Sequence, residues 1–357
     1  MPMVDVLKGV SCMLIVLHHL AFYGPMSDVA LPLAPLLIGW LYDYGRMAVQ
    51  VFLVVSGFLA ASSLAPGGDA VFDKPLQQIL RRYARLAMPY LLALTLSVAV
   101  AALVRPWFDH VSVPNEPGLL QLLAHVLLLQ GLLGQESLSA GVWYVAIDFQ
   151  LFALTVLGLT LARRLQSRTA QRAPWGMLLV GCMALASLVY FNLHAALDDT
   201  ALYFFGAYGL GMLAFWAGRS PHARNWLVLL AWVGVTALVV QFRGRIAVAL
   251  VVALWLGVAQ AWPRLQQWPR HAGLQAVGRM SYSVFLIHFP VCLLVNAVVS
   301  HLWPTQPLLN MLGMLVAFGL SLVAGAVLSR RVEARPISVP TLLGIQAGLV
   351  VVGLVAG

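Results

Sequence analysis

Charge is what this chain has least of. Only 9% of its 357 residues are Asp, Glu, Lys or Arg while 61% are hydrophobic, against about 25% charged residues in soluble domains. That scarcity excludes a soluble globular protein and implies a polytopic membrane protein. Cysteine is scarce too. Cys12, Cys182 and Cys292 each fall inside an apolar run, where the thiol behaves as a small hydrophobe, so neither a disulfide framework nor a metal site is expected. Long polar stretches are missing: the longest, from about Arg105 to Gly141, is too short for a soluble domain. Repeats of period 20–50 and an inverted duplication of broken helices are also missing, which counts against a secondary transporter. The first apolar stretch starts almost at Met1 and has no small-residue cleavage site before the next span, so the N-terminus is expected to be kept.

Apolar segments long enough to span a bilayer run over 4–23, 47–65, 84–104, 142–162, 175–194, 200–218, 225–242, 245–262, 278–299 and 308–329. A further run, 339–357, ends the chain. The expected fold class is therefore all-α, a polytopic transmembrane helix bundle of about ten core spans. Residues 1–335 are expected to form its domain and 336–357 an additional C-terminal transmembrane helix. A net charge of +9 invites a nucleic-acid reading, but the basic residues are short clusters between apolar segments with no DNA-binding motif. With the N-terminus in the cytoplasm, all but Arg46, Arg105, Arg243 and Arg245 of the 21 Lys and Arg residues fall on the inner side, a strong positive-inside bias. Counting Leu119–Leu133 as a span would move Arg163, Arg164, Arg168 and Arg172 outside. The stretch 119–133 is therefore expected to be a re-entrant or interfacial outer helix. Leu31–Tyr44, short, Pro-rich and interrupted by Asp43, is expected to be an outer loop with a short helix.

One span is not uniformly apolar: Val4–Tyr23 carries Asp5, Lys8, His18 and His19. Eleven residues separate Lys8 from His19, an offset of about 20° and a rise of about 16 Å on an α-helix, so they share one face at different membrane depths. An ionisable side chain inside the hydrocarbon costs roughly 2.5–3.5 kcal/mol on insertion scales, which makes His19 a candidate functional residue. His18 points about 100° away and reads as a packing or interfacial histidine.

Four segments carry a further pattern. Asp5-Val-Leu-Lys8-Gly9 is followed by His19; Gly45-Arg46-Met-Ala-Val-Gln50 leads to Ser56-Gly57-Phe58; Arg81-Arg82-Tyr83-Ala84-Arg85 precedes Pro89; and Trp143-Tyr-Val-Ala-Ile-Asp148-Phe-Gln150-Leu-Phe152 follows. Gly278-Arg279-Met-Ser281-Tyr282-Ser283, with His288 and Pro290 beyond, and Val332-Glu333 near Pro336 are weaker echoes. Together they resemble the membrane acyltransferase-3 family, integral-membrane O-acyltransferases of bacterial surface and exported glycans. Lys8 stands where the family usually has arginine, and Asp148 where it has glutamate.

The resemblance implies a transfer of an acyl group, acetyl above all, from cytoplasmic acetyl-CoA or another acyl-CoA to a glycan hydroxyl on the far side, without a metal. His19 would be the general base, since an imidazole with a reference pKa near 6.5 suits removal of a hydroxyl proton. Asp148 would orient the His19 ring, or else pair with an arginine for folding only. Arg82 and Arg85, three residues apart on one helix face, would grip the coenzyme A phosphates with Arg279 and Lys8. Gln50, Arg46 and Trp143 would contact the acceptor, Trp143 by stacking on a sugar face, unless it is only an aromatic of the outer interfacial belt. His288 either lines the donor path or braces the bundle, with bracing preferred. Ser56 is no nucleophile, since no adjacent base activates it. The expected setting is a bacterial inner membrane, with membrane lipids and a glycan acceptor as partners, no nucleic acid, and any separate periplasmic transfer partner another chain. A glycan or lipid exporter is the alternative, and an assembly scaffold a further one; neither needs to consume an acyl donor.

Overall fold

The computed structural model describes residues 1–169, 173–335 and 338–356. Arg172 and Pro336, which entered the topology and motif readings, lie outside the described residues. Among the described residues the regular elements are all helical. In chain order they are α1 (Pro2–Phe22), α2 (Met26–Ala30), α3 (Pro35–Tyr44), α4 (Val49–Leu64), α5 (Pro75–Val104), α6 (Leu119–Val126), α7 (Val142–Arg168), α8 (Trp175–Val189), α9 (Ala201–Arg219), α10 (Ala223–Val240), α11 (Gly244–Ala261), α12 (Pro263–Gln266), α13 (Ala272–Arg279), α14 (Ser281–Leu302), α15 (Pro307–Leu328) and α16 (Val339–Ala356). Eleven helical stretches are long and apolar enough to cross a bilayer, and the chain is a multi-pass membrane protein.

Helix α5 starts at Pro75, well before the expected 84, because Arg and Leu have similar helix propensities and the basic stretch Arg81–Arg85 needs no break before the apolar part. Helix α7 runs on through Arg168 for the same reason. The stretch 119–133 yields only the eight-residue α6 followed by turns, too short to span. Helix α3 is the short helix expected after Leu31, but a 3₁₀ turn, Gly45–Ala48, joins it to α4 without an extended loop, so the two make a continuous helical run of 30 residues, Pro35–Leu64.

Contacts divide the chain into two compact units. The first comprises Met1–Lys8, Val49–Tyr83 and Ile147–Gln275. Its core is the crossing of α4 and α9, whose backbones touch: a Cβ on Gly57 would collide with the Tyr208 carbonyl oxygen, and one on Gly211 with the Val54 carbonyl. Small residues permit such an approach between membrane helices, so Gly57 of the Ser-Gly-Phe segment serves packing. Phe58 seals the seam edge-on to Phe215, centroids 5.1 Å apart, and the Trp216 indole N–H donates to the Ala65 carbonyl at 2.7 Å.

The second unit comprises Gly9–Ala48, Ala84–Ala146 and the chain from Ala276 onward. Helices α14 and α15 form a hairpin whose turn is closed by the Asn310 amide, which donates to the Trp303 and Gln306 carbonyls at 2.7 and 2.9 Å. Leu122 of α6 packs on Gly353 of α16; α16, expected as an appendage, thus clusters with this unit. Buried His125 donates from Nδ1 to the Gln121 carbonyl and accepts the Leu138 N–H at Nε2. Burial pushes its pKa down to about 4.

Candidate active site

Within the second unit α1 and α14 meet along a seam with a seven-residue step. The Cys12 thiol points to the Ser281 carbonyl at 3.5 Å, and His19 Nδ1 lies 2.6 Å from His288 Nε2, both pairs 269 residues apart in sequence. Beyond the end of α1, Asn296 accepts from the Met26 N–H at 3.1 Å and donates to the Tyr23 and Gly24 carbonyls. A spacing of seven is close to two helical turns and keeps one face on the partner. The register selects His19 over His18: one residue back, the ring turns by about 100°, and buried His18 bonds instead to the Leu41 carbonyl at 2.8 Å. Packing of Gly45 against His18, where a Cβ would stand 2.8 Å from the His18 Cβ, sets the turn that carries exposed Arg46.

Chemistry fixes the protons on the histidine pair. His288 is completely buried, and its Nδ1 lies 2.7 Å from the Phe285 carbonyl. That oxygen can only accept, so we assign the proton to His288 Nδ1 and a lone pair to Nε2. His19 Nδ1 must then donate to it. The ring planes differ by 6° with centroids 4.9 Å apart, about the N–N distance plus two ring radii, so the rings meet edge to edge as an in-plane hydrogen bond requires. The basic nitrogen of His19 is therefore Nε2. His19 lines a narrow recess with Tyr23, Ser112, Phe289 and Asn296, and Ser112 is itself held by His110 at 2.8 Å. The arrangement can hold a neutral imidazole in one tautomer beside a space edged by polar groups.

Asp148 lies in the first unit and has a different partner. Its carboxylate accepts from Arg82 at 2.5 Å, with side-chain exposures of 6% and 28%, and the guanidinium also covers the Phe152 ring, 5.2 Å from its centroid. The other oxygen, Oδ1, is buried and has no hydrogen-bond partner among the described residues. The hydrogen-bond partner of His19 is His288, where Asp148 was expected, and Arg82, expected to meet a phosphate together with Arg85, is engaged by the Asp148 carboxylate. Pairing of Asp148 with an arginine was one of the two readings the sequence left open, but with Arg82 and Asp148 66 residues apart the sequence did not say which arginine. His288 read as a bracing residue, and its position, one of few ionisable groups within α14, was the available signal for its contact with His19.

Four other arginines, Arg85, Arg279, Arg330 and Arg331, flank one joint of the second unit. The Tyr282 hydroxyl donates to the Leu86 carbonyl at 2.9 Å, tying the start of α14 to the part of α5 just after exposed Arg85. The Ser283 hydroxyl donates to Glu333 at 2.6 Å, drawing in the π-turn Ser329–Glu333 with exposed Arg330 and Arg331. Arg279, also exposed, precedes this junction. The Ser-Tyr-Ser and Val-Glu echoes of the sequence are thus one structural joint. A family model described as an acyltransferase domain matches residues 2–330. The chain belongs to the acyltransferase-3 family. It is a membrane acyltransferase, and the match covers both units and ends before α16. No curated protein and no solved structure matches it.

The other residues singled out in this acyltransferase are dispersed. Lys8 is half-buried on α1 in the first unit, and Gln50 is buried in α4 of the same unit. Trp143 is half-buried at the start of α7 in the second unit, its ring 6.3 Å from that of Tyr144. Among the described residues no group of three or more His, Cys, Asp or Glu side chains could hold a metal ion.

Proposed function

We propose that this acyltransferase transfers an acyl group, acetyl in the first instance, from cytoplasmic acyl-coenzyme A to a glycan hydroxyl on the outer side of a bacterial inner membrane, with His19 as general base. The observation that carries this reading is the hydrogen bond from His19 Nδ1 to buried His288 beside the recess. A base needs a free lone pair and a fixed ring; His288 supports both by holding His19 as the tautomer with Nε2 unprotonated. As the acceptor oxygen attacks the thioester carbonyl, His19 Nε2 takes its proton, the C–O bond forms, the C–S bond breaks, and the proton passes to the departing thiolate. No acyl-enzyme is required. The recess beside His19, about 10 Å³, has room for a reacting hydroxyl and not for a whole sugar. Tyr23 and Ser112 edge it, and Trp143 offers a ring for a sugar face.

The donor carries several phosphate charges. Arg85 and Arg279, with Arg330 and Arg331 nearby, suit them as exposed guanidinium forks. Lys8 adds charge on the approach. Arg82, engaged by Asp148, acts in this reading as a brace, and Gln50 supports α4.

Turnover of labelled acetyl-CoA by the purified chain with a hydroxyl acceptor tests the reading. His19→Ala should lower the rate by about 10²–10⁴-fold, the usual worth of a positioned base, in a protein that inserts and purifies normally. His288→Gln, which keeps an oxygen to accept from His19 Nδ1, should retain more activity than His288→Leu. Full activity in His19→Ala would refute the assignment. A wild-type chain that consumes no acyl donor would favour the exporter reading.

A further inference from the structure

A large cavity lies away from the histidine pair, in the first unit, and the proposed chemistry does not use it. It is a groove of about 670 Å³ among α8, α9 and α10, within the roughly 300–1,000 Å³ typical of ligand sites. Its walls are apolar, built from residues such as Met177, Leu188, Leu210 and Leu229. From Met177 to Leu188 the groove follows α8 for about 16 Å, the depth of one leaflet of a bilayer whose hydrocarbon is about 30 Å thick. Its polar end is formed by chain turns: Pro66–Gly67 after α4, Pro174 before α8, and Arg219-Ser220-Pro221 between α9 and α10.

Exposed Asp69 and Asp73 follow Pro66–Gly67 at that end, Asp73 paired with Arg163 at 3.2 Å, whereas the α9–α10 side carries charge of one sign. No Asp or Glu occurs from Thr200 to Val332. Arg219 is exposed, makes no ion pair among the described residues, and covers the Phe215 ring at 5.5 Å, which leaves its N–H edge for an anion. Exposed Arg224 follows in the first turn of α10. An apolar slot one leaflet deep that ends in an arginine without a carboxylate partner matches an amphiphile with a chain and an anionic phosphate. We propose that the α8–α10 groove is a binding site for an anionic glycerophospholipid of the leaflet on the α9–α10 loop side, one acyl chain in the slot and the phosphate on Arg219. Arginine suits the phosphate because it bonds two oxygens at once, and the slot removes a chain from the mobile bilayer.

Gly181 supplies the test. It lines the groove, and a Cβ there meets nothing within 4 Å, so Gly181→Phe fills the slot without a backbone collision. The full chain is purified in mild detergent, checked for monodispersity, and titrated with phosphatidylglycerol or phosphatidylcholine bearing the same acyl chains; native mass spectrometry reads the bound lipid. The wild type should hold phosphatidylglycerol about tenfold more tightly than phosphatidylcholine, which offers the same phosphate but brings a quaternary ammonium whose positive charge opposes Arg219. Arg219→Gln should abolish that preference while still binding both lipids, and Gly181→Phe should lose both. Leu185→Trp, at a half-exposed lining position, repeats the plug if Gly181→Phe is not monodisperse. Unchanged preference in Arg219→Gln, or unchanged binding in a plugged variant, overturns the proposal. So does displacement of both lipids by an equal concentration of palmitoyl-coenzyme A, which would make the groove a donor site.

Discussion

Removing Arg82 should destabilise the first unit far more than removing the whole Arg82–Asp148 pair. Asp148 is 6% exposed and has one oxygen on Arg82 and one with no partner among the described residues, so Arg82→Met strands a charge in a medium that solvates it poorly. Breaking a buried pair from one side costs about 3–5 kcal/mol, whereas exchanging both partners for apolar residues is often nearly neutral. The Arg82 side chain is 28% exposed, which favours the lower end of that range. For a unit of this size, each kcal/mol moves Tm by about 2–4 °C, so Arg82→Met should melt about 10 °C below the wild type in detergent. Arg82→Met with Asp148→Leu should recover most of the loss. Thermal unfolding and acyl-donor turnover are measured on the same preparations. A single variant with wild-type Tm refutes the energetic argument. A double variant that is stable yet inactive shows that the pair acts in the reaction and overturns its reading as a brace.

Gly57→Leu should force α4 and α9 apart at the Tyr208 carbonyl and cost at least the 1–3 kcal/mol typical of overpacking, seen as a lower melting temperature and early aggregation on size exclusion. His125 predicts a pH dependence outside the spans. Folded, its pKa is lowered to about 4 by burial; unfolded, it is near 6.5, so the unfolded state binds more protons below 6.5 and stability falls with pH. The contribution is whole above pH 6.5 and is lost progressively toward pH 4. Hydrogen exchange around α6 should accelerate over that window in the wild type and not in a His125→Asn variant.

Most of the fold was legible because a span announces itself locally. The runs 200–218 and 308–329 became Ala201–Arg219 and Pro307–Leu328, since about 20 apolar residues in hydrocarbon have little choice but helix. Ends were less legible where charge and helix coexist, as at Arg81–Arg85, because hydropathy reports the solvent while helix propensity reports the backbone. The site was half legible. His19 stood out as an ionisable group within a span, and the seven-residue step from Cys12 was present in α1. The partner of that face was not, because a heptad seam specifies a complementary surface and many apolar helices offer one. Asp148 stood out as an acid within a span, but its partner stayed open between His19 and an arginine, since charge alone does not tell a carboxylate that orients a base from one that anchors an arginine.

The separation of 269 residues between His19 and His288 also has a timescale. At about 5–20 residues per second of synthesis, His19 emerges roughly 13–54 s before the residue that fixes its proton. During that interval α1 is already a membrane helix with an imidazole whose Nδ1 lacks its eventual acceptor. The ring can become committed only when α14 arrives, so a chain that stops after α11 carries the histidine without the tautomer. The chemistry proposed for this protein would thus be switched on by completion of the polypeptide itself, late and once.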